Sequence, residues 1–158
     1  MKTRRFTPQG FTLAEMLVAV AIASVVVAGT TSLFITFLRS YNNTTLMRNT
    51  ATQASMGLER MVYGVGTNGG LRAAEASKVS VSYPSGGWRI EYRTNTWFQY
   101  SPTTRRIFNQ SGKTICTNVI ASTLQYFTNS CAISVTVAES AGGRVHTNTM
   151  RSLVQFRN

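Results

Sequence analysis

The reading turns on one stretch: Gly10-Phe11-Thr12-Leu13-Ala14-Glu15, followed without a break by MLVAVAIASVVVAGTTSLFITFL, residues 16–38. From Phe11 to Leu38 there are 28 residues and a single charge, Glu15. About 20 apolar residues are enough to carry a helix across a bilayer, so this run predicts a membrane-spanning helix with length to spare. The ten residues before it, MKTRRFTPQG, carry Lys2, Arg4 and Arg5. Positive charge flanking a span stays on the cytoplasmic side, which predicts a cytoplasmic N-terminus and an extracytoplasmic chain from Arg39 onward. A cleaved secretory signal is the rival. Such a signal has an apolar core of about 7–15 residues ending at an A-x-A-like site. This run is longer, and cutting at Ala19, Ala21 or Ala23 would leave an apolar segment attached.

Glu15 is the anomaly. A carboxylate inside an apolar span costs a few kcal/mol on insertion scales, which marks it as a functional candidate. The plainer alternative is that it lies near the membrane surface and is solvated.

Composition narrows the chemistry. The 158 residues are 43% apolar and only 13% charged, with a net charge of +11. Ordinary soluble domains carry about 25% charged residues, and a disordered polyelectrolyte would be poor in apolar ones. There is no Asp, one histidine (His146) and two cysteines (Cys116 and Cys131). A Ser-His-Asp relay cannot be assembled, and a zinc cage of three or four close ligands is not grouped in this sequence. The expectation is a structural protein, not an enzyme, with no cofactor or metal.

The segment Gly10-Phe11-Thr12-Leu13-Ala14-Glu15, with its short basic leader and apolar continuation, resembles the processing motif of type IV prepilins and pseudopilins. The resemblance is strong over Gly10 to Leu38 and weak beyond. It implies cleavage between Gly10 and Phe11 by a prepilin peptidase, N-methylation of Phe11, and Glu15 as the fifth mature residue. It implies assembly partners as well: other pilins or pseudopilins through the N-terminal helix, and an inner-membrane assembly platform. The implied location is the inner membrane, single pass, and then a pilus-like fibre. In the fibre, Glu15 would pair with the Phe11 amine of a neighbouring subunit. A buried charge left without its partner is strongly destabilising, so the pair would set the axial register. Some tip-forming pseudopilins lack this Glu; its presence here suits a subunit placed below another.

The fold expected is α+β and pilin-like: a long N-terminal helix packed on a small antiparallel β-sheet head. Met47, Ala51, Ala54, Leu58, Met61 and Val62 recur at helical spacing, an apolar stripe on one face. The organisation expected is a leader over 1–10, a spanning and polymerising helix over 11–38, an amphipathic continuation over 39–65 and a β-rich head over 66–158. Two runs of poor helix formers, Gly29-Thr30-Thr31-Ser32 and Tyr41-Asn42-Asn43-Thr44-Thr45, are candidate weak points. Residues 64–70 match G-x-G-x-x-G, but a nucleotide loop needs a strand before it and a helix after it. Here a helix precedes, so the glycines read as a helix stop and a turn. Trp88-Arg89-Ile90-Glu91-Tyr92-Arg93 alternates apolar with charged, the period of a half-buried strand. Further strands are expected at Val79–Tyr83, Trp97–Tyr100, Arg106–Asn109, Thr114–Val119, Leu124–Phe127, Ile133–Ala138 and within Val145–Phe156.

Cys116 and Cys131 both fall in the head. Outside the cytoplasm a disulfide is the expected state, worth about 3 kcal/mol for a loop of this size. The alternative, a reactive thiol pair, would need an activating base or a C-x-x-C arrangement. His146, and the N-x-S/T patterns at Asn42, Asn43 and Asn109, read as incidental. Certain major pseudopilins hold calcium in acidic loops. That site does not carry over to a head whose carboxylates beyond the helix are Glu75, Glu91 and Glu139.

Residues 39–158 hold 13 basic and 4 acidic side chains, a net +9. Such a surface attracts anionic partners, DNA among them. Tyr92-Arg93, Trp97-Phe98 and Arg105-Arg106 interleave aromatics with bases, as single-strand binding requires; the alternative places the aromatics on the inner face of the sheet. The function expected is that of a minor pseudopilin in a type II secretion system. A minor pilin of a type IV pilus, including one for DNA uptake, shares the motif, and a membrane-anchored binding module that never polymerises is a third reading.

Overall fold

A computed structural model describes residues 10–65 and 68–157; the leader residues Lys2, Arg4 and Arg5, and Gly66 and Thr67 of the glycine run, lie outside the described residues. One helix, α1 (Leu13–Tyr63), is followed by strands and short 3-10 turns only. The chain divides into two units, the first ending at Asn42 and the second starting at Asn43.

In the first unit α1 is exposed throughout and is long and apolar enough to cross a membrane. It runs unbroken through Gly29-Thr30-Thr31-Ser32 and through Tyr41–Thr45, where the sequence suggested weakness. Its hydroxyls are consumed locally. Thr30 Oγ1 donates to the Val26 carbonyl at 3.0 Å, Thr31 Oγ1 to Val27 at 2.8 Å, and Thr36 Oγ1 to Ser32 at 3.0 Å. An unpaired hydroxyl in an apolar medium costs several kcal/mol; back-bonding to the preceding turn removes that cost and leaves an apolar outer surface.

In the second unit the same helix buries Leu46, Thr50, Ala54, Gly57, Leu58, Met61 and Val62. This corrects the expected stripe at its N-terminal end. Met47 is exposed and Ala51 only half-buried; the covered face runs one residue earlier, through Leu46 and Thr50. Thr50 passes as an apolar residue because its hydroxyl bonds the Leu46 and Met47 carbonyls, both at 3.0 Å. Gly57 is where α1 comes nearest to strand β7 (Thr114–Cys116): a Cβ there would lie 2.9 Å from Cys116 Cβ. The helix ends at Gly64, at φ +92°, a conformation that suits glycine as a helix stop. β1 (Gly64–Val65) and β2 (Asn68–Gly69) then form a two-stranded ribbon. Gly70 admits no side chain, since a Cβ would sit 2.4 Å from both Gly64 N and the Val62 carbonyl oxygen. The glycine run is therefore helix stop and close packing.

The head holds two further antiparallel sheets where the sequence suggested one. The first has the order β3 (Ser80–Ser82), β4 (Trp88–Arg93), β5 (Thr96–Ser101), β6 (Arg106–Asn109), β7. The second has β9 (Ser130–Ala141) between β8 (Val119–Phe127) and β10 (Arg144–Gln155). Strand β4 alternates as predicted, with Trp88, Ile90 and Tyr92 buried. In β9, Cys131, Ile133, Val135 and Val137 do the same. Each such side chain contributes about 1.5–3 kcal/mol by leaving water. Trp88 Nε1 on the five-stranded sheet donates across to Ser122 Oγ on β8 at 3.0 Å, and Tyr83 Oη, just after β3, to the Leu124 carbonyl of β8 at 3.3 Å; Ser122 Oγ in turn donates to the Ser134 carbonyl of its own sheet at 2.8 Å.

Cys116 and Cys131, expected as a disulfide, are both free and buried in this structure. They lie on different sheets. Cys116 is on β7, at the edge of the five-stranded sheet, with its thiol directed to the Gln53 carbonyl of α1 at 3.6 Å. Cys131 is in the central strand of the other sheet, between Tyr126 and Val154. Burial pushes the Cys116 thiol up to about 11, against the opposing effect of Arg60 and a Thr117 backbone hydrogen bond, and the Cys131 thiol to about 12. Both favour the neutral thiol, so they support folding fully below the free-cysteine pKa of about 8.5. That support is lost as pH rises toward 11–12.

Two outcomes are expected. Intact mass of the full chain in detergent should show two free thiols, with a thiol reagent at pH 8 reacting only after denaturation; a loss of two hydrogens would show the bond instead. Gly57→Ala should destabilise the head by about 1–3 kcal/mol in chemical denaturation, although alanine favours helix by about 1 kcal/mol. Gly29→Ala, with open space around it, should leave the head's transition unmoved.

Candidate processing and assembly site

Gly10 and Phe11 lie immediately before α1, both exposed, with Phe11 at 83% of its free area. Thr12 is the helix cap. Its carbonyl accepts from Met16 N at 3.2 Å, the first hydrogen bond of the helix ladder. Its hydroxyl accepts from Glu15 N at 3.3 Å, and its own N–H donates to Glu15 Oε2 at 2.9 Å. This reciprocal arrangement is a capping box, T-x-x-E, in which two otherwise unpaired donors of the first turn are satisfied. The Thr12 hydroxyl also lies 2.9 Å from Glu15 Oε2 and can donate to it.

The sequence-predicted residues thus gather at one end of α1: Gly10, Phe11 and Glu15 fall within one and a half helical turns. The geometry adds Thr12, which sequence reasoning passed over although its spacing to Glu15 was a readable signal. The carboxylate engages Thr12 through Oε2; Oε1 has no hydrogen-bond partner among the described residues. The arrangement can do two things. The Gly10–Phe11 peptide bond lies outside the helix ladder and is open to a peptidase. The Glu15 carboxylate is aimed by Thr12 while one oxygen stays open to a further donor.

The other residues singled out are dispersed. His146 on β10 faces Glu139 across the β9–β10 ladder, and among the described residues no three His, Cys or Glu side chains come together as a metal group. Tyr92 and Phe98 are buried and stacked at 5.3 Å. Trp97 is on the opposite face, with the Arg89 guanidinium 4.0 Å above its ring and Phe108 edge-on at 5.9 Å. The aromatic–basic interleaving is thereby split between two faces of one sheet.

Residues 6–31 match the family model of the prokaryotic N-terminal methylation motif. No curated protein and no solved structure matches the chain. With the long apolar N-terminal helix and the antiparallel head, this motif supports a type IV prepilin-like architecture and fits a membrane-anchored chain.

Removing the cap should be measurable. Thr12→Ala should raise amide exchange at Leu13–Glu15 by about fivefold, the equivalent of the ~1 kcal/mol typical of a lost N-cap. Thr12→Ser should restore protection.

Proposed function

We propose that the chain is a minor pseudopilin of a type II secretion system. The observation that carries the proposal is the exposed Gly10–Phe11 bond next to a capped Glu15, at the head of an apolar helix with a matching methylation motif. A prepilin peptidase at the inner membrane adds water across the Gly10–Phe11 bond. A ten-residue leader leaves with the new Gly10 carboxylate, and Phe11 keeps the new amine, which is then methylated. Single-pass insertion leaves the N-terminus cytoplasmic and the head periplasmic.

On assembly the amine and Glu15 become a pair between neighbouring subunits. Two features support this role. The carboxylate is costly in an apolar surround, and its Oε1 is open to a donor. Thr12 holds the carboxylate by hydrogen bonds until the partner arrives. The processed subunit then enters a short periplasmic fibre on an inner-membrane assembly platform and aids export of folded proteins. A structural role, without enzymatic activity, follows from this reading.

A second reading is favoured by one observation, the +9 charge of residues 39–158. It makes the chain a minor pilin of a type IV pilus that serves DNA uptake. DNA affinity with a steep salt dependence would accompany it.

A strain lacking the chain should lose proteins from the medium while surface pili and DNA uptake persist. Intact secretion with lost pili or uptake would overturn the pseudopilin assignment in favour of the second reading. Glu15→Ala should still be cut and methylated yet fail to enter a fibre. Normal incorporation of that variant would mean that the carboxylate has no amine partner, as in an anchored module that never polymerises.

A further inference from the structure

The head carries a cleft of about 1110 Å³ whose lining comes from four separate stretches of chain. Lys78 lies on one wall, Arg93 at the end of β4, Tyr126 near the end of β8, Asn129 in the β8–β9 turn, and Arg157 beyond β10. The walls are stitched together. Ala76 N donates to the Arg157 carbonyl at 3.0 Å, Arg157 N to the Ala74 carbonyl at 2.8 Å, and Phe156 N to the Asn129 carbonyl at 2.9 Å. Arg93 is held too, its guanidinium resting against Gly69.

The charges in this cleft are unequal. Lys78 is spent on Glu75, with Nζ to Oε2 at 2.7 Å. That is the one ion pair among the described residues, so Arg93 and Arg157 have none. Both guanidinia are close enough to Glu75 to help hold its carboxyl below the usual range, after the larger effect of Lys78. Apart from Ala73 and Ala76, the remaining lining carries hydroxyl or amide groups, from Ser77, three threonines, two tyrosines and Asn129. The Tyr92 ring is buried, yet its hydroxyl has no hydrogen-bond partner among the described residues.

We propose that this cleft binds an acidic saccharide, its carboxylate held between Arg93 and Arg157 and its hydroxyls by the threonine, Asn129 and Tyr92 groups. Guanidinium forks match carboxylates in bidentate geometry. The volume exceeds what an inorganic ion needs and reaches the upper range of ligand sites. Hydroxyl-rich lining suits a hydroxylated ligand. A nucleic acid fits less well, because single-strand binding relies on rows of aromatic platforms and Tyr126 is the one ring here with substantial exposure. Trp97 and Phe108 lie edge to face elsewhere.

The test is calorimetric titration of the full chain in non-ionic detergent with a galacturonic acid tetramer. A neutral galactose tetramer and a thymidine oligonucleotide serve as comparisons. The acidic tetramer should bind, more weakly as salt rises, and the neutral one should not. Arg93→Gln and Arg157→Gln should each weaken binding by about tenfold, the scale of one charge-assisted contact. Tyr92→Phe, which keeps its stack on Phe98, should weaken it severalfold. Glu75→Gln, which removes the competing carboxylate from an exposed pair, should tighten it. Because that variant gains affinity, misfolding cannot mimic it. Equal binding of the neutral tetramer, or indifference to both arginines and to Glu75, overturns the proposal. Tighter binding of the oligonucleotide with the same arginine dependence overturns the saccharide assignment.

Discussion

A carboxylate in an apolar helix must have a partner, and for Glu15 the chain itself supplies the first one. Within its own chain it is held by the Thr12 N–H and lies within reach of the Thr12 hydroxyl, three residues back. That geometry exists because a helix start leaves donors unpaired and because i and i+3 meet on one face. The cap therefore does more than begin the helix. It fixes the position of the charge, keeps one oxygen occupied and leaves the other open. The rest of the apolar segment carries no ionisable group between Met16 and Leu38, so any electrostatic specificity in its packing has to come from this one end.

The same helix works in two surroundings, and its sequence changes character accordingly. Before Asn42 its polar side chains hide their hydroxyls in the preceding turn, and large apolar residues face outward. After Asn43 most outward residues are charged or polar, Met47 and Met56 being exceptions, and the covered face is notable for small ones: Thr50, Ala54 and Gly57. Small residues let a helix backbone approach a strand closely. The contact at Gly57 with Cys116 shows how closely, and it leaves no room for even one methyl group.

What was legible in the sequence was what repeats. The 28-residue apolar run, the G-F-T-L-A-E motif and the period-two alternation of Trp88–Arg93 each depend on neighbours in the chain. What was hidden depends on residues far apart. The apolar count favoured Met47 and Ala51 over Leu46 and Thr50, because threonine looks polar until its hydroxyl is satisfied by its own helix. Two cysteines 15 positions apart looked suited to a staple, but spacing does not reveal that one belongs to an edge strand and the other to the centre of a different sheet. The division into two sheets was equally hidden, since strand runs and breakers look alike whether consecutive strands pair or pass to another sheet. At the processing site Gly10, Phe11 and Glu15 were readable from the motif, while Thr12 needed the geometry to show its part.

The charge of the head shows why a total is a poor guide to a site. Thirteen bases against four acids over residues 39–158 suggest a uniformly attractive surface. The individual side chains behave differently. Arg89 is stacked on Trp97, and its Nε is buried without a hydrogen-bond partner. Arg72 lies over Tyr63 at the helix end, and Lys78 is paired with Glu75. Each is already engaged, and the Arg89–Trp97 contact consumes the aromatic face that a nucleobase would have used. Arg93 at the end of β4 and Arg157 beyond β10 share a concave surface whose one acid, Glu75, is ion-paired with Lys78. Recognition of an anion depends on such residual, directed charge. By that criterion the cleft, where two arginines converge on one concave surface, is a better anion site than the aromatic face of the five-stranded sheet, whose Arg89 is already stacked on Trp97.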